Sequence, residues 1–456
     1  MLDIKKFEEV FKLDDTNKTR KISTQDAIRI FPFTTNKDIV DDFYKVLGAI
    51  IRNIKELSSA KDKITIENLK DYVIGIKKNL NDDISNFELE LILKNIYFDE
   101  EGTLKKNSSK LLLYSESNNT ILKTAQYIQD VLINDKKELI EEIEKNEIVS
   151  VLDEIFYEAL PPLEKTVRNE EDFINFCPSI STVFQEDLTY LINSKYFTID
   201  NLVKLLEFYF FTYTSQTLLK INHRLNADRE SVEPTYFALD WEKVSYLRKS
   251  IDVGYKLIIN SLEKAFSNVA LLQIVNCNDN DNKIDFVALK ELYQTFSDDE
   301  KKEYKEKLLK IFDIYRDSIR PDGKSFEKSV SSEDDLDTII ECFYSYIYFQ
   351  VLNSERKAPA GRYVKDFKDF AEKNFVKFRG RLGQTLNITD DYLIFLTQLA
   401  LRDQEKMKLL DVFKSFERRG VYFDDVSREL IVRFYERLNI LEKKSDSGVV
   451  QYVKKI

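Results

Sequence analysis

The chain holds one histidine, His223, and three cysteines, Cys177, Cys277 and Cys342, far apart in sequence. A metal site or an activated nucleophile needs such groups at close spacing, and no second His, Cys or carboxylate stands at ligand spacing beside His223. His223 therefore reads as a structural or surface residue, and the odd set of cysteines as thiols of a reducing, cytoplasmic compartment. There is no phosphate-cradling Gly-Lys-Ser/Thr loop, no GxSxG and no HExxH, so ATP hydrolysis would have to come from a partner. Two segments imitate metal sites. Residues 277–288, with Asp279, Asp281 and Asp285, have the acid density of a calcium loop. Cys277, however, takes the first ligand position, Asn282 the turn glycine's place and Ala288 that of the bidentate Glu. Pro321-Asp322 with Glu327 is loosely like a metal-dependent nuclease motif, without the strand context or the Glu-x-Lys spacing which that chemistry needs. No catalytic residue, metal or cofactor is expected.

The chemistry that the sequence does suggest is neutralisation of an anion. The chain's 456 residues carry 69 Lys and Arg against 80 Asp and Glu, yet from residue 356 onward 22 Lys and Arg outnumber the acids. A basic tail on an acidic body suits a local anionic partner, and a body that avoids nonspecific nucleic acid. Candidate phosphate contacts are Arg418, Arg419, Arg428, Arg433, Lys443 and Lys444, which would release counterions without reading sequence. A second basic element, residues 373–383, interleaves Lys377, Arg379 and Arg381 with Phe375 and Phe378. Cations alternating with aromatics suit single-stranded nucleic acid, and a basic strand or linker is the simpler reading of the same residues.

Those cations need a frame. Thr389 caps an expected helix over 390–401, a second helix runs from Glu405, and Gly420 stands where a left-handed C-terminal residue is wanted. Val421-Tyr422-Phe423 reads as a short strand, Asp424 caps a third helix over 425–439, and the runs 440–444 and 449–453 flank a turn at 445–448. Helix, helix, short strand, helix, hairpin is the order of a winged helix, in which the third helix enters the major groove and the hairpin touches backbone. Projected at about 100° per residue, that helix turns Val426, Leu430, Ile431, Phe434, Tyr435 and Leu438 inward. Glu429 and Glu436 then share the outer face with Arg428 and Arg433. Acids in a groove repel phosphate, so duplex binding, protein docking and an ordinary solvated face stay open.

The stretch from Arg379-Gly380-Arg381-Leu382-Gly383 through Arg418-Arg419-Gly420-Val421-Tyr422-Phe423-Asp424, on to Phe434-Tyr435-Glu436-Arg437-Leu438-Asn439, resembles the end of DptG (DndG) proteins. Glu442-Lys443-Lys444-Ser445-Asp446-Ser447-Gly448 and Tyr452-Val453 continue the likeness. These are subunits of the DNA phosphorothioation-dependent restriction system. The likeness covers about the last 80 residues; over 1–370 only size and helical character are similar. It implies a role in bacterial defence, in a complex with the ATPase partners DptF and DptH that attacks DNA lacking phosphorothioate marks. It brings no catalytic motif onto positions here. A transcriptional regulator is the alternative function, and a metal-dependent nuclease a third.

Ahead of this tail, apolar residues recur at helical spacing over 38–57, 69–80, 121–133, 136–160, 188–192, 202–219, 241–266, 287–296, 300–319 and 336–352. With only 10 Gly and 7 Pro there is little turn chemistry for a many-stranded fold. The expected fold is mainly α: a multi-helix body with a C-terminal winged-helix domain. Breaks at 99–110, 320–335 and 354–361 divide it into an N-terminal helical unit (1–105), a central helical body (106–355), a basic linker or strand (356–385) and the winged helix (386–456). The most apolar stretch, 202–221, carries Lys204, Glu207 and Lys220, so no membrane partner is expected.

Overall fold

The computed structural model describes residues 1–13, 29–35, 39–40, 42–60, 64–65, 85–147, 149–167, 172–278, 283–321, 323–444 and 450–455. The chain is mainly α, 59% helix against 8% strand. Among the described residues no helix is long and apolar enough to cross a membrane. The expected helix over 69–80 lies outside the described residues. Two compact units divide the chain: Asp38–Asp172 with Phe184–Phe210, and Met1–Lys37 with Phe173–Val183 and Phe211–Ile456.

In the unit containing Asp38–Asp172, helix Phe43–Ile54 is capped by Asp42 and buries Val46, Leu47, Ala49, Ile50 and Ile51. Gly48 lets this helix approach a neighbouring turn, because a Cβ there would stand 2.3 Å from the Leu112 carbonyl oxygen. Arg52, 1% exposed, donates to the carbonyls of Leu112, Leu113 and Ser115, which the short helix Ser109–Leu112 leaves without intrahelical partners. Burial lowers its pKa to about 10. The continuous helix expected over 136–160 is two helices, Lys136–Asn146 and Val151–Ala159, because Ser150 and Asp153 form a reciprocal capping box between them. The second helix stacks Phe156 on Tyr97 at 4.0 Å.

The other unit is built on helices Tyr255–Val275, Asp298–Ser318 and Leu336–Leu352, with Phe312, Tyr315, Phe343 and Tyr346 in mutual ring contact. The helix expected from Trp241 begins only at Tyr255, after a single turn at Lys249–Asp252; residues 241–248 form a loop whose Glu242 and Arg248 turn inward and pair at 2.6 Å. The stretch 356–385, expected as a linker or strand, opens with helices Lys357–Tyr363 and Lys365–Asn374. Pro359 is tolerated in the first turn, where its missing N–H costs no bond. Then come β2 (Val376–Phe378) and β3 (Gln384–Ile388), antiparallel, with β1 (Ala238–Leu239) parallel on the far side of β3.

The last 70 or so residues hold helix Asp390–Leu401, β4 (Lys406–Lys408), helices Leu409–Arg418 and Asp425–Arg437, β5 (Leu441–Lys444) and β6 (Val450–Lys454). The strands form an antiparallel sheet in the order β4-β6-β5. Leu396, Val412, Phe416, Ile431, Tyr435 and Val453 make the core between sheet and helices. The strand expected at Val421-Tyr422-Phe423 reduces to one bridge, Tyr422 to Tyr236, because Val421 and Phe423 are drawn into the core on either side. The strand lies instead at Lys406–Lys408, expected as the first turn of the second helix. The Lys-Met-Lys alternation there turns Met407 toward Val453 across the pair. Gly420 ends the second helix at φ 82°, and the turn at 445–448 lies outside the described residues.

Candidate nucleic-acid interface

Of the eight cations singled out in the sequence, three brace the fold by donating to acceptors of the chain, and of these Arg419 is fully buried. Arg419 is 1% exposed and donates to the Leu399 and Ser415 carbonyls, fastening the first C-terminal helix to the second; it cannot reach a phosphate. Arg379 is half-buried in the hairpin β2–β3. It donates to the carbonyls of Leu239 (2.8 Å) and Glu242 (3.0 Å) and to Asn387 Oδ1 (3.0 Å), and burial lowers its pKa. Arg428 donates to the Phe423 carbonyl at 3.0 Å and pairs with Glu417 at 2.6 Å, its guanidinium 5.0 Å above the Phe413 ring. Arginine reads as a surface residue by type, and these three are held where acceptors of the chain need a donor.

The others reach solvent at separate places. Arg433 is exposed and forms no ion pair among the described residues. Around it stand Asp425, Glu429 and Glu436, all exposed, and Lys443 closes on Glu436 at 2.8 Å. The outer face of the third helix is thus mixed in charge. Lys444 ends β5, and its side chain lies outside the description. Arg418 is exposed beside a cleft of about 240 Å³, lined also by Arg402, Gln404, Met407, Asp411, Lys414 and Ser415, where Lys414 pairs with Asp411 at 3.6 Å. Arg381 is exposed on the β2–β3 turn.

Sequence reasoning missed the outer face of the sheet. Register places Lys406 opposite Lys454, and Lys408 opposite Tyr452, which faces Glu442 on its other side. Side chains alternate between faces along a strand, so Lys406, Lys408, Tyr452, Lys454 and Glu442 share the face opposite Met407 and Val453. Lys406 pairs with Glu442 at 3.1 Å and lies 5.5 Å from the Tyr452 ring centroid. Lys408 and Lys454 are exposed and form no ion pair among the described residues. The signal was present as period-two alternation in Lys406-Met407-Lys408 and Tyr452-Val453-Lys454, too short to stand out beside the arginines.

Two ion-pair groups meet the segment 235–248, one from the C-terminal module and one from strand β2. Arg248 pairs with Asp424, the cap of the third helix, at 2.6 Å, donates to Ser427 Oγ at 2.7 Å and meets Glu242 at 2.6 Å. Burial works against the charged Asp424, yet the hydrogen bond from Arg248 holds its pKa below the usual value. Asp240 is likewise held low, first by the Lys377 ammonium at 2.8 Å.

The groups capable of covalent or metal chemistry lie apart from this surface. Burial pushes the Cys177 thiol up to about 11 and Cys277 to about 12, which disfavours the reactive thiolate. His223 is exposed, 3.8 Å from Glu233. Asp285, from the calcium-like stretch, caps helix Phe286–Thr295 and pairs with Arg229; residues 279–282 of that stretch, and Asp322, lie outside the described residues. Among the described residues no group of three His, Cys, Asp or Glu could hold a metal ion. No protein-family model matches the chain, and no curated protein matches it.

Proposed function

We propose that the chain is a DNA-binding and scaffold subunit, without catalysis of its own, of a DNA phosphorothioation-dependent restriction complex, working beside ATPases of the DptF and DptH type. The resemblance of the C-terminal segment supplies the system. The order helix, strand, helix, helix, strand, strand, with the sheet order β4-β6-β5, supports reading 390–454 as a winged helix. The observation that carries DNA contact is the outer face of that sheet, where Lys408 and Lys454 stand exposed beside Tyr452. Such a face neutralises phosphates and reads no bases. Acids on the third helix oppose its entry into a groove, so the contact runs through the sheet.

Affinity purification of the tagged full chain from its host tests this reading. ATPase subunits should co-purify, and the isolated chain should bind duplexes of unrelated sequence alike. Selective binding to one operator, with no ATPase recovered, would favour the regulator instead.

A further inference from the structure

Helix Asp390–Leu401 ends in a tight turn whose backbone does not suit its residue. The Gln404 amide donates to the Leu401 carbonyl at 3.0 Å, and Arg402 stands between them at φ 51°, ψ −122°. These are the dihedrals of the first central position of a type II′ turn, which glycine fills without strain and a residue with a side chain only at a cost. The following helix ends on Gly420. Arg402 carries a local penalty that glycine would not, and its side chain lines the cleft of about 240 Å³ beside Arg418.

That cleft is cationic. Arg402, Lys414, Arg418 and Arg419 line it against one acid, Asp411. Asp411, Lys414, Ser415 and Arg418 recur at helical spacing and share one face of helix Leu409–Arg418, whose Val412, Phe413 and Phe416 turn inward. The pair of Lys414 with Asp411, 3.6 Å apart and half in water, offsets one cation. Arg419 is committed to the Leu399 and Ser415 carbonyls. Arg402 and Arg418 remain in excess of the acids of the lining, and Asp403, next in the turn, pairs with Lys455 at 3.7 Å. Arginines at a helix C-terminus often serve its last carbonyls. Here the Gln398, Leu399 and Leu401 carbonyls accept from the Arg402 amide, the Arg419 guanidinium and the Gln404 amide, so capping does not call for the Arg402 or Arg418 guanidinium.

We infer that this cleft binds a phosphate group, held by Arg402 and Arg418 with Ser415 and Gln404 as neutral donors. A guanidinium fork matches two phosphate oxygens at once. Size limits the ligand. Pockets for drug-sized molecules measure roughly 300–1,000 Å³, so this smaller one takes the group on a short stem, against Ala400 and Met407. Met407 lies on the face of β4 opposite Lys406 and Lys408, which separates the site from the sheet surface proposed to meet DNA. A small phosphorylated molecule and the 5′-phosphate of a DNA strand end both present such a group.

The test is calorimetric titration of the full chain with inorganic phosphate at fixed ionic strength, with urea unfolding of the same samples. Arg402→Gly should weaken phosphate binding on the order of tenfold. Its urea midpoint should stay at or above the wild-type value, because glycine relieves the turn. Asp411→Asn removes the acid without touching the turn and should tighten phosphate binding, which keeps the inference testable if Arg402→Gly misfolds. Duplex binding should be unchanged in Arg402→Gly and lowered in Lys408→Gln with Lys454→Gln, so the two sites fail independently. Competition identifies the carrier: a DNA hairpin that displaces phosphate better with a 5′-phosphate than without assigns a strand end, and equal displacement assigns a small molecule. Absence of saturable phosphate binding in the wild type, binding unchanged in a folded Arg402→Gly protein, or binding weakened by Asp411→Asn overturns the inference.

Discussion

Replacing Arg248 by Met should uncouple the third C-terminal helix from the body. Arg248 is the sole cation in ion pairing with Glu242, whose side chain is 0% exposed, among the described residues, and it also pairs with Asp424 at 11%. Glu242 further accepts from the Leu239 amide at 2.9 Å and the Ser427 hydroxyl at 2.8 Å, so it cannot swing out to water without breaking both. Removing one partner of a buried pair leaves an uncompensated charge and costs about 3–5 kcal/mol. That is roughly two to four powers of ten in the unfolding equilibrium. Trp241 is the chain's one tryptophan, and its ring lies 5.1 Å from Phe434 of that helix, so its fluorescence during urea unfolding reports this junction. Adding Glu242→Gln to Arg248→Met should recover part of the loss, because the amide keeps acceptor capacity without charge. An Arg248→Met protein within about 0.5 kcal/mol of wild type would refute the reasoning.

Acid should weaken the same junction. Asp424 and Asp240 have depressed pKa values in the fold, so the stability they contribute is present above the unfolded value of about 3.9 and is lost as pH falls through the folded values. The Trp241-monitored urea midpoint should fall below about pH 4, and less steeply in Arg248→Met. Gly48→Ala should destabilise by about 1–3 kcal/mol through overpacking against Leu112, read by thermal circular dichroism. Gly361→Ala, in a helix where a Cβ meets nothing within 4 Å, should instead stabilise by about 0.5–1 kcal/mol. Purified protein should neither cleave DNA with magnesium or manganese nor hydrolyse ATP; nicking that follows this chain through successive purification steps would contradict that.

The helices were legible because their apolar residues repeat at helical spacing between good caps, as in Leu336–Leu352 behind Asp335. What the pattern could not show was where the chain stops a helix for a tertiary reason. Ser150 and Asp153 interrupt one apolar run, and the pairing of Glu242 with Arg248 turns another into a loop. The surface was less legible than the fold. Arg419 and Arg428 look alike in sequence to Arg418 and Arg433, and only packing separates the braces from the exposed cations. Lys406–Lys408 is three residues long, too short for its alternation to outweigh the helical run that follows. The aromatic and basic run 373–383 divides in the same way, Phe375 into the core and Phe378 into solvent.

The most direct test of DNA contact through the sheet is the salt dependence of duplex binding by the full chain. Each phosphate contact contributes about 0.9 to the slope of log affinity against log salt. Lys408→Gln with Lys454→Gln should therefore flatten that slope by about two units and weaken all sequences alike. Arg433→Glu, on the mixed-charge face of the third helix, should change the slope by less. An unaltered slope in the lysine variant, with a slope that collapses in Arg433→Glu, would contradict the account and return the contact to the third helix.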